Sequence, residues 1–389
     1  MKKIWISLLL AMLFLLGYAG TARAFEVNAA AAILIDASSG RVIYELNPHE
    51  SLAPASTTKI LTALVALEQV EDLSQQVTLP DDFVNVGESG IYLEPGETQT
   101  LEDLLYALML RSANDAGQAI AIGVAGSEPA FVELMNARTE ELGLTDSHWA
   151  NPHGLDAEDH YTSAFDLAMI TREALTIPKF NELIVEESWT MPWESNEYDR
   201  TLYNHNQFLD LYEGADGVKT GYTSKSGSCL VASATRDGLR LIGVVLNCDE
   251  HYQEMCNLMD YGFATFTAVK VAQAGDIIGS VRVSNGNVKR VDAVLGADVS
   301  IMLEKGSVFD GEPVYEYDQT LEAPIEAGQE IGTARFVDTS GVSVEVPICV
   351  RAAAERYTFG IVWKQVWQTL VSALLGGNPA VESDTLPIE

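Results

Sequence analysis

Cysteine is scarce in this chain. The 389 residues include four, Cys229, Cys248, Cys256 and Cys349, and no two stand at the short C-x-x-C separation of zinc sites. A disulfide-dense scaffold is therefore excluded. Cys229 and Cys248 lie on two apolar runs that could pair as neighbouring strands, where apolar thiol packing fits at least as well as a disulfide. Basic residues are also few: 23 Lys and Arg stand against 56 Asp and Glu, for a net charge of −33. That balance leaves no basic face for phosphate and excludes nucleic acid as a partner. It also opposes broad attraction to an anionic bilayer, so any membrane attachment must be mainly hydrophobic. Histidine is sparse too, and His49, His148, His153, His160 and His205 lack a nearby ligand pattern, which makes them structural or exposed residues. The sequence calls for no metal and no cofactor.

What is present is enough apolar residue, 47% of the chain, for a sizeable core and for two or three domains. The first residues read as an export signal: Lys2 and Lys3, an apolar run from Ile4 to Leu16, then Ala22-Arg23-Ala24 as the cleavage site. The run falls short of the roughly 20 residues that a spanning helix needs. Cleavage leaves a mature chain from Phe25, without Lys2, Lys3 and Arg23, so 20 basic residues face 56 acidic ones and the charge becomes −36.

Residues 25–266 read as one α+β domain. Ala31–Asp36 and Arg41–Glu45 form a candidate hairpin around Ala37-Ser38-Ser39-Gly40. Helical patterns follow at Ser56–Gln69, Leu101–Leu110, Ala113–Ala125, Glu128–Leu142 and Thr162–Leu175. Strands return at Gly227–Thr235 and Leu239–Asn247, and a helix over His251–Thr265 closes the unit. From 267 to 357 short alternating runs such as Val342–Val346 predict a separate all-β module with no catalytic cluster of its own. Residues 358–376 change texture again. Phe359, Val362, Trp363, Val366, Trp367, Leu370, Val371, Leu374 and Leu375 recur at helical spacing, and two tryptophans on an almost uncharged amphipathic helix suit a membrane interface. Residues 377–389 read as a flexible tail.

Serine chemistry on an amide needs a nucleophile, a base, donors for the oxyanion and a grip on the substrate. Ser56-Thr57-Thr58-Lys59 stands at the start of an apolar helix, where residues i and i+3 share a face and the Lys59 amine can reach Ser56 Oγ. Alone this motif means little, since about one S-x-x-K arises by chance in a chain this long. Ser112-Ala113-Asn114 sits between two helical runs, where by itself it would be a helix cap. Lys219-Thr220-Gly221, followed by Tyr222-Thr223, comes just before the strand Gly227–Thr235. All three motifs in this order make coincidence improbable.

With these motifs the sequence resembles the penicillin-binding D-alanyl-D-alanine carboxypeptidases, a family of serine peptidases in which such motifs carry catalysis. The resemblance covers residues 25–266 and includes Leu52–Lys59, Leu110–Ala116, Asn151-Pro152-His153-Gly154-Leu155 and Asp216–Thr223. It implies a β-lactamase/DD-peptidase-like catalytic domain with an antiparallel sheet, then a small β domain and a membrane-anchoring helix, on an exported enzyme at the outer face of the cytoplasmic membrane. It implies as partners a peptidoglycan stem peptide ending in D-Ala-D-Ala, β-lactam antibiotics and the membrane surface. Ser56 would attack the D-Ala-D-Ala carbonyl and neutral Lys59 would take its proton. Bringing a lysine from about 10.4 to near 7 takes roughly 4 to 5 kcal/mol of differential stabilisation, which burial and a second cation supply. Lys219 is that cation, and with Thr220 it would hold the terminal carboxylate. Ser112 would relay the proton to the leaving D-alanine and Asn114 would orient Lys59. Gly221, Tyr222 and Thr223 complete the substrate strand, and the N–H groups of Ser56 and Tyr222 would form the oxyanion hole.

One departure stands out. Family members often carry an arginine before the last helix of the catalytic domain, and this chain has Asp249-Glu250-His251 there. A class A β-lactamase would need a dedicated glutamate where this chain reads His160–Leu167, and a non-catalytic envelope binding protein would normally show a broken motif. Carboxypeptidase, endopeptidase and transpeptidase share one acyl-enzyme and stay open on sequence alone.

Overall fold

The computed structural model describes residues 25–193, 195–337 and 343–358, together with 360, 363, 366, 367, 370 and 371. The expected leader (1–24), the tail (377–389) and Phe359, Val362, Leu374 and Leu375 of the expected amphipathic helix lie outside those residues.

The sheet comes first. Strands β1 (Ala31–Asp36) and β2 (Val42–Leu46) form the expected hairpin, and β1 then pairs with a strand more than 200 residues later in the chain. Helix α1 (Lys59–Gln69) follows a 3-10 turn over Ala55–Thr58. Its residues Lys59 to Ala66 are all buried, so it is a central helix surrounded by protein rather than an amphipathic helix on the surface. A small ribbon of β3 (Gln76–Thr78) and β4 (Thr98–Thr100) leads into α2 (Leu101–Leu110), where Thr100 Oγ1 accepts from Asp103 N–H at 3.0 Å as an N-cap. Helices α3 (Asn114–Ala125), α4 (Glu128–Glu141), α5 (Ala164–Ala174) and α6 (Pro178–Val185) complete the helical layer. Ser127 and Ser163 cap α4 and α5 in the same manner.

A second ribbon, β5 (Ser188–Met191) with β6 (Arg200–Tyr203), and the single turn α7 (Phe208–Leu211) precede the main strands. These are β7 (Ala215–Thr223), β8 (Gly227–Arg236) and β9 (Leu239–Leu246), after which α8 (His251–Thr265) packs on the sheet. The order is β2-β1-β9-β8-β7, antiparallel throughout. One face of the sheet packs with α1 to α6 around Ile33, Ile35, Val231 and Val244, and the other with α8 around Leu34, Leu241 and Val245. Burial on both faces explains why β8 and β9 read as continuous apolar runs instead of alternating. The sequence reading put Lys219-Thr220-Gly221 before the strand; it lies inside one, β7, at the edge of the sheet. The polar and glycine residues of β7 had concealed it.

The β module starts with β10 (Phe266–Ala272), which pairs with β13 (Val299–Glu304). A six-stranded sheet in the order β14-β16-β17-β12-β11-β15 follows, built from β11 (Ile277–Ser284), β12 (Arg290–Leu295), β14 (Pro313–Tyr317), β15 (Thr320–Glu322), β16 (Glu330–Val337) and β17 (Ser343–Val350). Val281, Ile301, Phe336 and Ile348 form its own core. In the final segment, residues 360, 363, 366, 367, 370 and 371 are helical, and Trp363, Val366, Trp367 and Leu370 are exposed. Among the described residues no helix is long and apolar enough to cross a membrane.

Candidate active site

Ser56 occupies the 3-10 turn that feeds α1, directly after Ala55, whose φ of +50° is a left-handed conformation that a residue with a Cβ adopts at a cost of about 1 to 3 kcal/mol. Hydroxyls inside the turn hold it: Thr57 Oγ1 donates to Pro54 O at 2.6 Å and Thr58 Oγ1 to Ala55 O at 2.8 Å. Beneath it, His160 accepts from Ala150 N–H through Nδ1 at 3.0 Å, and its Nε2 lies 3.0 Å from Thr58 Oγ1. Burial first, then the neighbouring cationic groups, push this imidazole down to about 3. It is a neutral structural histidine, as the sequence reading had it.

One helical turn on, Lys59 Nζ lies 2.9 Å from Ser56 Oγ. The side chain is fully buried, and its amine donates to Asn114 Oδ1 at 2.8 Å and to the carbonyl oxygen of His153. Burial is the largest influence on this lysine and the charge of Lys219 the second; together they hold it well below the usual lysine range, against the opposing carboxylates of Asp115 and Glu88. A neutral amine has two N–H groups and one lone pair. Asn114 Oδ1 and the His153 carbonyl match the two N–H groups, which leaves the lone pair for the Ser56 hydroxyl.

Asn114 is the first residue of α3, but neither it nor Ser112 caps that helix. Ala113 is the N-cap, and Ser112 stands outside at φ +58° with only 9% of its surface exposed. Asn114 is instead fixed by the loop before β4: its Nδ2 donates to Gly87 O at 3.0 Å and its N–H to Ser89 O at 2.8 Å. Asp115 anchors the same loop. Its buried carboxylate accepts from the N–H groups of Ile91 and Leu93 and from Asn85 Nδ2.

Strand β7 forms the opposite wall. A Cβ on Gly221 would stand 3.0 Å from Ser56 N and 3.1 Å from Ala55 Cβ, so the edge strand passes as near to Ser56 as backbone allows. Lys219 is buried, donates to Thr220 O at 3.1 Å, and is lowered to about 7 by burial. Its charge is nonetheless one of the causes that lower Lys59, which requires the protonated form. An arriving anion favours that form of Lys219. The Tyr222 side chain is 68% exposed. Thr223 Oγ1 donates to Asp156 Oδ1 at 2.9 Å and lies 3.0 Å from Ser226 Oγ, which ties the end of β7 to the loop after Leu155.

Asn151–Leu155 belongs to the family resemblance, but its sequence alone gives it no role. Asn151 Oδ1 accepts from Gly154 N–H at 2.7 Å and its Nδ2 donates to Leu155 O at 2.9 Å, which shapes the turn that presents the His153 carbonyl to Lys59. Gly154 has φ +88°, and a Cβ there would fall 2.0 Å from Ala55 O. Asp115 and the 85–93 loop were also missed; no local motif marks a carboxylate that works by accepting backbone N–H groups. The four cysteines are free thiols, and burial pushes Cys229 up to about 11 and Cys248 up to about 12.

A family model described as D-alanyl-D-alanine carboxypeptidase matches residues 19–250, and one described as penicillin-binding protein 5, C-terminal domain, matches residues 266–356. The chain is 33% identical over 343 residues to D-alanyl-D-alanine carboxypeptidase DacF of Bacillus subtilis, covering 85% of this chain and 87% of that one. It is 32% identical over 326 residues to D-alanyl-D-alanine carboxypeptidase DacA of Escherichia coli K12, covering 80% of each. Among solved structures, penicillin binding protein 5 from Haemophilus influenzae superposes with a TM-score of 0.64 at 30% identity, over 86% of this chain and 100% of that one. PBP3 from Streptococcus pneumoniae, a peptidoglycan synthesis regulatory factor, gives a TM-score of 0.68 at 28% identity, over 85% of this chain and 100% of that one.

Proposed function

The chain belongs to the D-alanyl-D-alanine carboxypeptidase family and is a serine DD-carboxypeptidase, and we propose that it removes the terminal D-alanine of peptidoglycan stem pentapeptides through an acyl-enzyme on Ser56. The observation that carries this reading is the Lys59 amine, 2.9 Å from Ser56 Oγ and buried against Asn114 and the His153 carbonyl.

Ser56 Oγ attacks the carbonyl of the D-Ala-D-Ala bond as its proton passes to the Lys59 lone pair. Backbone N–H groups of Ser56 and Tyr222 hold the oxyanion, a role supported by the close approach of β7 to the 3-10 turn. The proton travels through Ser112 to the leaving amine, D-alanine departs, and Ser56 is left as an ester that water hydrolyses along the reverse proton path. Lys219 and Thr220 grip the terminal carboxylate of the substrate. β-Lactams acylate the same serine, and the reading places the enzyme in the cell envelope as an exported protein.

Attachment to the outer face of the cytoplasmic membrane belongs to the same proposal. It is supported by Trp363, Val366, Trp367 and Leu370, exposed on one helical segment whose sequence is almost uncharged. At roughly 1.5 to 3 kcal/mol for each buried apolar side chain, this face supplies reversible attachment. Flotation with lipid vesicles at high salt tests it: the chain from Phe25 floats and a truncation ending at Arg356 does not. Equal flotation of both removes the tether.

The activity itself is tested by incubating the protein with a purified stem pentapeptide and following products by mass spectrometry. Release of a single D-alanine is the expected result. An unchanged pentapeptide, with penicillin still bound covalently, would reduce the protein to a binder.

A further inference from the structure

Arg111 occupies the last-turn cap of α2, next to Ser112, and its guanidinium is exposed. Among the described residues it forms no ion pair with a carboxylate, although acidic residues outnumber basic ones 56 to 23. Its partner is a histidine ring: Arg111 Nη1 donates to His205 Nε2. The accepting nitrogen carries no proton, so His205 braces the guanidinium as a neutral imidazole. The brace is itself anchored, because His205 N–H donates to Leu110 O at 3.1 Å and Asn204 N–H to Glu187 O at 2.9 Å. Partial burial first, then the charges of Arg111 and Lys219, hold this imidazole below the usual histidine range. Arg111 stands directly before Ser112 in the chain, and neither Arg111 nor Lys219 forms an ion pair with a carboxylate among the described residues. Unbalanced positive charge of this kind fits an anionic substrate group.

The position expected for a carboxylate-binding arginine, before α8, does not supply one. His251 there is tilted against the Tyr252 ring at 4.2 Å between centroids, and its Nδ1 is buried with no hydrogen-bond partner among the described residues. We infer that Arg111, braced by His205, is the second cation of the subsite that takes the terminal carboxylate of the substrate, beside Lys219 and Thr220. This rests on the carboxypeptidase reading and sharpens it. A guanidinium that binds a planar carboxylate bidentately selects a substrate with a free carboxylate beside the scissile bond over one in which that carboxylate is amidated.

The test is steady-state hydrolysis of a stem pentapeptide by the mature protein and by R111Q, R111K and H205A, each checked by thermal unfolding. R111Q should raise KM about 10- to 100-fold while kcat stays within about threefold, as loss of a charge-assisted contact made in both ground and transition states requires. R111K should recover part of the loss, since it keeps the charge without the fork, and H205A should raise KM by less than R111Q. An unchanged KM in R111Q, or a fall in kcat alone, overturns the inference. If the unmodified protein releases no D-alanine yet still binds penicillin, the carboxypeptidase reading fails first and takes this inference with it.

Discussion

Lys59 and Ser56 stand one helical turn apart on the same face, 2.9 Å from amine to hydroxyl, with the lysine sealed from water. A guanidinium cannot lose its proton at working pH, so Lys59→Arg should abolish acylation by a fluorescent penicillin. Lys219→Arg keeps the cation and should retain acylation, with substrate affinity weakened by the changed geometry. Rates of adduct formation decide between them, and normal acylation by Lys59→Arg would show that another group is the base.

The two lysines also set opposite limbs of the pH profile. Acylation needs Lys59 neutral, so the rate falls as pH drops through its lowered pKa. Substrate capture needs Lys219 charged, and burial brings it to about 7, so kcat/KM falls as pH rises past that value in the free enzyme. Lys219→Arg holds its charge throughout. It should lose the alkaline limb and keep the acidic one; an alkaline limb that persists would assign it to a different group.

Gly154 is required by space as well as by φ. Alanine there puts Cβ 2.0 Å from Ala55 O, in the turn that carries the nucleophile. Gly126, at φ +77° with nothing within 4 Å, isolates the conformational cost alone. Gly126→Ala should lower stability by about 1 to 2 kcal/mol and leave acylation intact. Gly154→Ala should cost more in thermal unfolding and slow acylation as well. Equal effects at the two sites would mean that the turn relaxes freely.

Asp115 links loop and site. Replacing it with alanine strands the Ile91 and Leu93 N–H groups, at about 1 to 3 kcal/mol for each buried donor left unsatisfied. Because the same loop holds Asn114 through Gly87 and Ser89, Asp115→Ala should also slow acylation. Melting temperature and acylation rate should fall together.

Much of this was legible in the sequence, and the legible parts share a cause. Helices such as Leu101–Leu110 appeared at their observed limits because a hydroxyl cap precedes a strongly apolar period. The proximity of Ser56 and Lys59 was readable because i and i+3 positions fix it locally. Strand β7 was hidden because its side chains serve the site, so it lacks the β-branched alternation that marks a strand. Arg111, Asp115 and the His153 carbonyl were hidden for another reason. Their partners are His205, Ile91 and Lys59, and only tertiary packing brings backbone groups and distant side chains into contact.

The central claim is that Ser56 carries the acyl group. Tryptic digestion and tandem mass spectrometry of the benzylpenicillin-treated protein locate the adduct directly. One penicilloyl group is expected, on the peptide that contains Ser56 and absent from Ser56→Ala; an adduct on another residue, or labelling that survives the substitution, would rule out Ser56 as the acylated residue.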